Sequence, residues 1–180
     1  MDIEIDAEAK DKRLNRMVAL TVVVFSIFMG LSQVKDGNIV QAMAQAQSNA
    51  VDRWGEYQAT KTKLHIDEVA LAQARAASGL AAEQGRLAAE IGKYQKEAPD
   101  LRKQAEGFQA QYDALNDHDD QFDASDATIG IAVAIAAVAA VTESFWALYA
   151  AWAFGAFGLV MGMAGFLGLA LKSPLASLLS

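Results

Sequence analysis

The sequence predicts an all-α integral membrane protein, with three transmembrane helices and a long antiparallel coiled-coil hairpin between the first and the second. Three observations lead to this prediction. Charged residues are concentrated in residues 1–16 and 35–126, long apolar stretches lie outside these segments, and the charged middle has a regular apolar repeat. An uncharged apolar run of about 18 residues or more is long enough to cross a bilayer as a helix.

The apolar runs account for three spans. Residues 17–34 carry no charge, and residues 127–171 carry one, Glu143. The second stretch is too long for one span and long enough for two. We therefore expect six segments, in chain order: an N-terminal tail over 1–16, transmembrane helix 1 over 17–35, a helical hairpin over 36–126, transmembrane helix 2 over 127–145, transmembrane helix 3 over 147–171, and a short surface segment over 172–180.

The basic residues predict an orientation in the membrane. Lys10, Lys12, Arg13 and Arg16 precede the first span, whereas no Lys or Arg lies between residues 104 and 126. Basic residues near span ends collect on the cytoplasmic side. This predicts a bacterial inner membrane protein with a cytoplasmic N-terminus, an uncleaved first span and a periplasmic or otherwise extracytoplasmic hairpin. The alternative, a soluble helical bundle, would have to bury these apolar runs on every side.

The charged middle shows the spacing of a coiled coil. Apolar residues recur at alternating steps of four and three along Leu87, Ile91, Tyr94, Ala98, Leu101, Ala105, Phe108, Tyr112 and Leu115. Such a repeat is the seam of packed helices. The first arm repeats more weakly, with Lys61 and Glu68 on seam positions. Ser78 and Gly79 lie midway and suit a turn near 78–80, which would place Leu71 opposite Ile91.

One short motif resembles a known family. The pattern N-x-x-x-x-W-x-x-Y-Q-A runs from Asn49 through Trp54 and Tyr57 to Gln58 and Ala59, and lysines follow it. It stands shortly after a single span, and a long helical region and a pair of spans come after it. This arrangement resembles the bacterial membrane family called domain of unknown function 4337. The resemblance implies a membrane protein and no particular chemistry.

The same motif holds the first candidate interaction site. Trp54 and Tyr57 are one helical turn apart on the seam, and Lys61 and Lys63 follow them. Aromatic residues at seam spacing usually belong to a core. Buried Trp and Tyr also dominate protein interfaces, so these four side chains are equally candidates for a docking patch that binds a neighbouring copy or another protein.

A second candidate is a stripe of glycines in the third span. Gly155, Gly158, Gly162 and Gly165 recur at steps of three and four, which places them on one helix face. Small residues at this spacing let helices approach closely in lipid. Two interpretations are open: the stripe packs on the Ala-rich second span, or it forms a contact between subunits.

No residue pattern supports catalysis, a cofactor or a metal site. The chain has no Cys, and its net charge of -7 with no basic strip argues against nucleic acid as a partner. The acidic run around His118 lacks the Gly and closing Glu of a calcium loop, so we interpret it as a solvated acidic collar. Glu143, between Thr142 and Ser144, is expected at the membrane interface.

These observations favour a non-enzymatic membrane scaffold that self-assembles. Two alternatives stay open: an accessory subunit of a larger membrane complex that docks through the hairpin, and an ion or proton channel component that uses Glu143. The expected partners are the lipid bilayer and either further copies of the chain or other subunits of a membrane complex. No small-molecule substrate is evident.

Overall fold

The computed structural model describes residues 2–77 and 80–169, with side chains described from residue 12 onward. These residues form three α-helices: α1 (Asp2–Ala76), α2 (Ala81–Val141) and α3 (Phe145–Phe166). The all-helical prediction is confirmed, because the described part of the chain contains no strand. Each helix contains a segment long and apolar enough to cross a membrane. Residues 78 and 79 of the predicted turn, and the predicted surface segment over 172–180, lie outside the described residues.

Both long helices join an apolar segment to a charged one without interruption. The helix α1 runs through the predicted first span and the first arm, and α2 runs through the second arm and the second span. Pro99 lies inside α2, as the unbroken repeat around it predicted. The helices therefore do not end where the polarity of the sequence changes.

The chain divides into two compact units. Residues 1–41 and 115–180 form one, which we call the three-helix unit, and residues 42–114 form the other, the two-helix unit. All three helices meet in the core of the three-helix unit. One cluster there joins Leu14 of α1, Ala136 and Ala139 of α2, and Leu148 and Ala151 of α3. The middle helix, α2, thus packs on both of its neighbours.

A second cluster in the same unit lies around Phe25 of α1. It contains Ile129 and Ala132 of α2, and the half-buried Leu159 of α3 packs against it. Large apolar side chains also point away from the core, among them Ile27 and other residues of α1, α2 and α3. Apolar residues both inside and outside are compatible with helices that span a membrane.

The buried face of α1 in the two-helix unit differs from the predicted one. Thr60 is buried and Asp67 is half-buried, at the two places where Lys61 and Glu68 were predicted to lie on the seam. Lys61 is half-buried like Asp67, but Glu68 is exposed, so the assignment of Glu68 to the seam was wrong. The reason is that the buried positions of α1 continue from Ala50 at steps of three and four.

The ends of the two arms contact each other directly. Leu71 and Ala74 of α1 form a cluster with Leu87 of α2, and Ile91 packs against it. Leu71 and Ile91, expected opposite each other, therefore lie in one cluster. The Gln84 side-chain amide also donates a hydrogen bond to the Ala74 carbonyl oxygen at 2.8 Å. This bond satisfies one of the carbonyls that a helix leaves unpaired in its last turn.

The turn between α2 and α3 has an unusual residue at its centre. Glu143 adopts φ 52°, the left-handed conformation that favours glycine. Just after it, the Ser144 N–H donates to the Ala139 carbonyl at 3.1 Å, which is the hydrogen bond of a Schellman helix end. The position therefore holds a residue with a Cβ where glycine is usual.

We expect Glu143→Gly to raise the free energy of unfolding by about 0.5–1 kcal/mol, because the left-handed conformation carries no Cβ penalty in glycine. Thermal unfolding of the detergent-solubilised protein measures this change. Glu143→Ala is the control, since it removes the charge and keeps the Cβ. An equal gain in both variants would assign the effect to the lost charge instead.

Candidate functional site

Four carboxylates come together in the three-helix unit. Asp36 of α1 is within side-chain hydrogen-bonding reach of Asp119 of α2, and it also faces Asp123 and Asp126. The sequence predicted a solvated acidic collar from the α2 residues alone. In the structure Asp36, Asp119 and Asp126 are half-buried, and α1 contributes one member of the group. We call these four residues the acidic cluster.

Burial and mutual repulsion change the acidity of this cluster. Burial, followed by the contact with Asp36, raises the pKa of Asp119 from 3.8 to about 6. Burial raises the pKa of Asp36 too, although its hydrogen bond with Asp119 acts in the opposite direction. The pKa values of Asp123 and Asp126 are raised mainly by burial and then by neighbouring carboxylates. Two carboxyl groups this close share a proton more readily than they both ionise.

The surroundings of the acidic cluster are polar but not arranged for a metal ion. The described residues hold no group of three or more His, Cys, Asp or Glu placed to bind one. Buried hydroxyl groups lie nearby in the chain. Ser125 Oγ donates to the Gly158 carbonyl at 2.8 Å, and Thr128 Oγ1 donates to the Ala124 carbonyl at 2.7 Å. What the cluster can do chemically is bind and release protons.

The aromatic pair of the sequence motif is partly exposed. The rings of Trp54 and Tyr57 meet edge to face, with centroids 5.6 Å apart and planes at 81°. Both side chains are half-buried, as is Lys61, whereas Lys63 is exposed. The pair is therefore neither a fully buried core nor a free surface patch.

A cleft lies next to this pair, and two of the four candidate residues line it. The cleft has a volume of ≈ 410 Å³ and is lined by Tyr57, Lys61, Leu64, Glu68, Gln95, Ala98, Pro99 and Arg102. Arg102 also donates to Glu106 at 2.7 Å. The structure thus brings Tyr57 and Lys61 together with a second cationic side chain from α2. Trp54 and Lys63 do not line this cleft.

The glycine stripe of α3 packs inside the chain. A Cβ on Gly155 would collide with the Phe25 ring, and one on Gly162 would lie 2.7 Å from a ring carbon of Phe28. The other two glycines contact α2: a Cβ on Gly158 would lie 2.6 Å from Ile129, and one on Gly165 2.9 Å from Phe122. The glycine stripe therefore packs against α1 and α2 of the same chain.

Sequence reasoning missed an uncharged stripe on the outer side of α1. Val69 and Ile66 are 58% and 62% exposed in the two-helix unit, although both are large and apolar. They belong to a set of exposed, uncharged residues at steps of four and three, which we call the outer stripe: Gly55, Ala59, Thr62, Ile66, Val69 and Gln73. This second repeat is visible in the sequence, next to the repeat that forms the buried seam.

Part of the outer stripe borders a surface groove. The groove has a volume of ≈ 530 Å³ and is lined by Thr62, His65, Ile66, Val69, Ala70 and Gln73. At the groove, His65 Nδ1 lies 3.1 Å from Glu68 Oε2. An exposed apolar groove on a helix that is otherwise charged is typical of a protein interaction surface.

Comparison with known proteins gives one match. A family model with the description "Domain of unknown function (DUF4337)" matches residues 14–168, which include the acidic cluster, the aromatic pair, the glycine stripe and the outer stripe. No curated protein and no solved structure matches the chain.

Proposed function

Since the chain belongs to the family described as domain of unknown function DUF4337, we propose its role from its own structure. It is a non-enzymatic integral membrane protein that self-assembles as a scaffold. The predicted spans over 17–35, 127–145 and 147–171 lie in the bilayer, and residues 36–126 form a coiled-coil hairpin outside it. The N-terminus is cytoplasmic and the hairpin extracytoplasmic, because the basic residues precede the first span.

The outward-facing side chains of the three-helix unit support the membrane location. Val24, Ile27 and Leu31 of α1 and Val160 of α3 are all exposed in the isolated chain. Water would penalise this much exposed apolar area, whereas the hydrocarbon of a bilayer does not. The three apolar helices and this outer face agree with each other.

The outer stripe of α1 is the observation on which self-assembly rests. Two copies that span one membrane with the same orientation and are related by a two-fold axis along the membrane normal present the same residues to each other. A charged residue in such a contact would face its own copy and repel it. The outer stripe carries no charge from Gly55 to Gln73, and it has two large apolar side chains, Ile66 and Val69, to bury.

We expect Ile66→Lys to break the assembly, because each lysine would face the lysine of the neighbouring copy. Native mass spectrometry after gentle extraction measures this result. The wild-type mass is expected at two or more times 19.2 kDa, and the mass of the variant at 19.2 kDa. Ala89→Lys, which adds the same side chain to an exposed position of α2, is the matched control and should leave the mass unchanged.

A wild-type mass of one chain would contradict self-assembly. A mass that includes a different polypeptide would favour the second candidate, an accessory subunit of a membrane complex. The cleft between the arms supports that candidate, since Tyr57, Lys61 and Arg102 surround a space large enough for a partner's side chains. Lys61→Glu should then remove the other polypeptide and leave the contacts between copies intact.

The third candidate, an ion or proton channel component that uses Glu143, has no observation in its favour. Glu143 lies in the exposed turn between α2 and α3 and is not on a buried helix face. Glu143→Gln tests the idea directly, and unchanged ion flux in vesicles that contain the protein would end it.

A further inference from the structure

Two pairs of acidic side chains connect α1 to α2. In the three-helix unit Asp36 of α1 is within hydrogen-bonding reach of Asp119 of α2. In the two-helix unit Asp67 of α1 has the same relation to Glu90 of α2. Each unit therefore has one contact in which a carboxyl group of one helix meets a carboxyl group of the other. This placement is unexpected, because opposite charges would have held the helices together at any pH.

The groups around the first pair do not compensate its charge. Asp123 and Asp126 of α2 face Asp36, and Asp119 and Asp120 lie beside them on the same helix. Asp120, Asp123 and Asp126, which act on this pair, are all acidic. When every carboxyl group is ionised, α1 and α2 repel each other here.

The second pair is compensated only in part. Arg86 lies nearby, but its guanidinium is 2.6 Å from Glu83 and 2.8 Å from Glu90, so it already serves two carboxylates. Asp67 adds a third acidic group to this set, and Glu83 also acts on it. One proton between Asp67 and Glu90 would lower the excess of negative charge among these four groups from two to one.

Polar atoms without a hydrogen-bond partner in the protein lie at the same places. Ser32 is 0% exposed, and its Oγ makes no hydrogen bond. It lies one helical turn before Asp36 on the buried face of α1. Asp36 Oδ1 and Asp67 Oδ2 are likewise shielded from solvent and unpaired. Buried polar atoms of this kind are costly unless something binds them.

We propose that Asp36–Asp119 and Asp67–Glu90 are proton-binding pairs, and that the packing of α1 on α2 tightens when the surroundings acidify. A proton on either carboxyl turns a repulsive contact into a hydrogen bond from a carboxylic acid to a carboxylate. The pairs lie on the face where α1 meets α2, so the bond acts directly on the contact between the two helices. This inference is independent of the outer stripe and of self-assembly.

The direction of the pH effect follows from the acidity of the pairs. The pKa of Asp119 is raised from 3.8 to about 6, chiefly by burial, and the pKa values of Asp36 and Asp67 are also raised, first by burial. Because the folded chain binds these protons more tightly than the unfolded chain, the extra stability is fully present below about pH 4 and is lost as the pH rises through about 6.

Thermal unfolding of the full chain in a neutral detergent tests the proposal at about pH 5 and about pH 7.5. The wild-type midpoint should be higher by about 3–6 °C at the lower pH. Asp119→Asn should reduce this rise, since an amide is a permanent donor to Asp36 and only the Asp67–Glu90 pair is then left to respond to pH. Asp36→Asn, which replaces the other member of the same pair, should behave alike if the first variant fails to fold.

The combined variant Asp119→Asn with Asp67→Asn should lose the pH response almost completely. Asp100→Asn is the control, because it removes an exposed carboxylate of α2 that belongs to neither pair. Infrared spectroscopy gives a readout that a merely structural role would not change, namely a protonated-carboxyl band at about pH 5 that Asp119→Asn weakens and the combined variant removes. A wild-type midpoint that does not rise at the lower pH, or an equal rise in the combined variant, would overturn the proposal.

Discussion

Replacing Phe122 with alanine should lower the free energy of unfolding by about 3–5 kcal/mol, the usual cost of removing a buried aromatic ring. Phe122 is 1% exposed. Its ring lies 2.9 Å from the position of a Cβ on Gly165, so the missing Cβ makes room for it. It also meets Phe166 edge to face at 5.2 Å. The contacts join α2 to α3.

Thermal unfolding followed by far-ultraviolet circular dichroism measures this cost in detergent. At about 2–4 °C per kcal/mol, the midpoint should fall by roughly 10 °C. Trp146→Ala removes a larger aromatic side chain that is 82% exposed and serves as the control. Equal midpoints for the two variants would mean that α3 does not pack on Phe122 as described.

Replacing Gly158 with leucine should destabilise the three-helix unit by about 3 kcal/mol through overpacking. A Cβ at this position would lie 2.6 Å from Ile129 Cγ1 and 3.0 Å from the backbone oxygen of Ser125. The side chain of Ile129 has some freedom to move, but the Ser125 backbone does not. The leucine would also disturb the hydrogen bond from Ser125 Oγ to the Gly158 carbonyl.

The matched control is Gly130→Leu in α2. A Cβ on Gly130 meets nothing within 4 Å, and the residue is helical like Gly158. Leucine is a better helix former than glycine by about 1 kcal/mol, so the control should be neutral or stabilising. If leucine at both positions gave the same stability, then α3 would not approach α2 closely at Gly158.

The helices could be predicted from the sequence because their signals are local. Runs without charge mark the apolar segments, and the repeat from Leu87 to Leu115 marks the buried face of α2 at the positions that are buried or half-buried in the structure. Turn signals of the same local kind placed the end of α1 near Ser78 and Gly79, and α1 is described as far as Ala76.

The buried face of the first arm was harder to predict. Trp54 and Lys61 have large side chains, and the spacing of the large residues suggested that the seam includes both. In the structure the helical period continues, so the smaller Thr60 and the acidic Asp67 take the inner positions. Composition alone does not show that a carboxylate will face the neighbouring helix, since that requires knowing its partner.

The candidate sites depend on contacts between residues far apart in the chain. The sequence shows a run of acidic residues before the second apolar segment, but not that Asp36 of α1 meets Asp119 there. It likewise shows a glycine stripe, but not that Phe25 and Phe28 of α1 occupy it rather than another copy. In both cases the sequence indicates the type of surface, and only the tertiary fold identifies what lies against it.

The contacts of Phe25 with Gly155 and of Thr21 with Trp152, whose indole Nε1–H donates to the Thr21 hydroxyl at 2.8 Å, have a consequence for biosynthesis. A ribosome makes α1 first and α3 last, so α1 can contact α3 only after α2 has been made. Any chain that terminates before Phe145 lacks the surface that receives the Phe25 ring. Incomplete products would thus expose the apolar face of α1 that α3 covers in the finished chain.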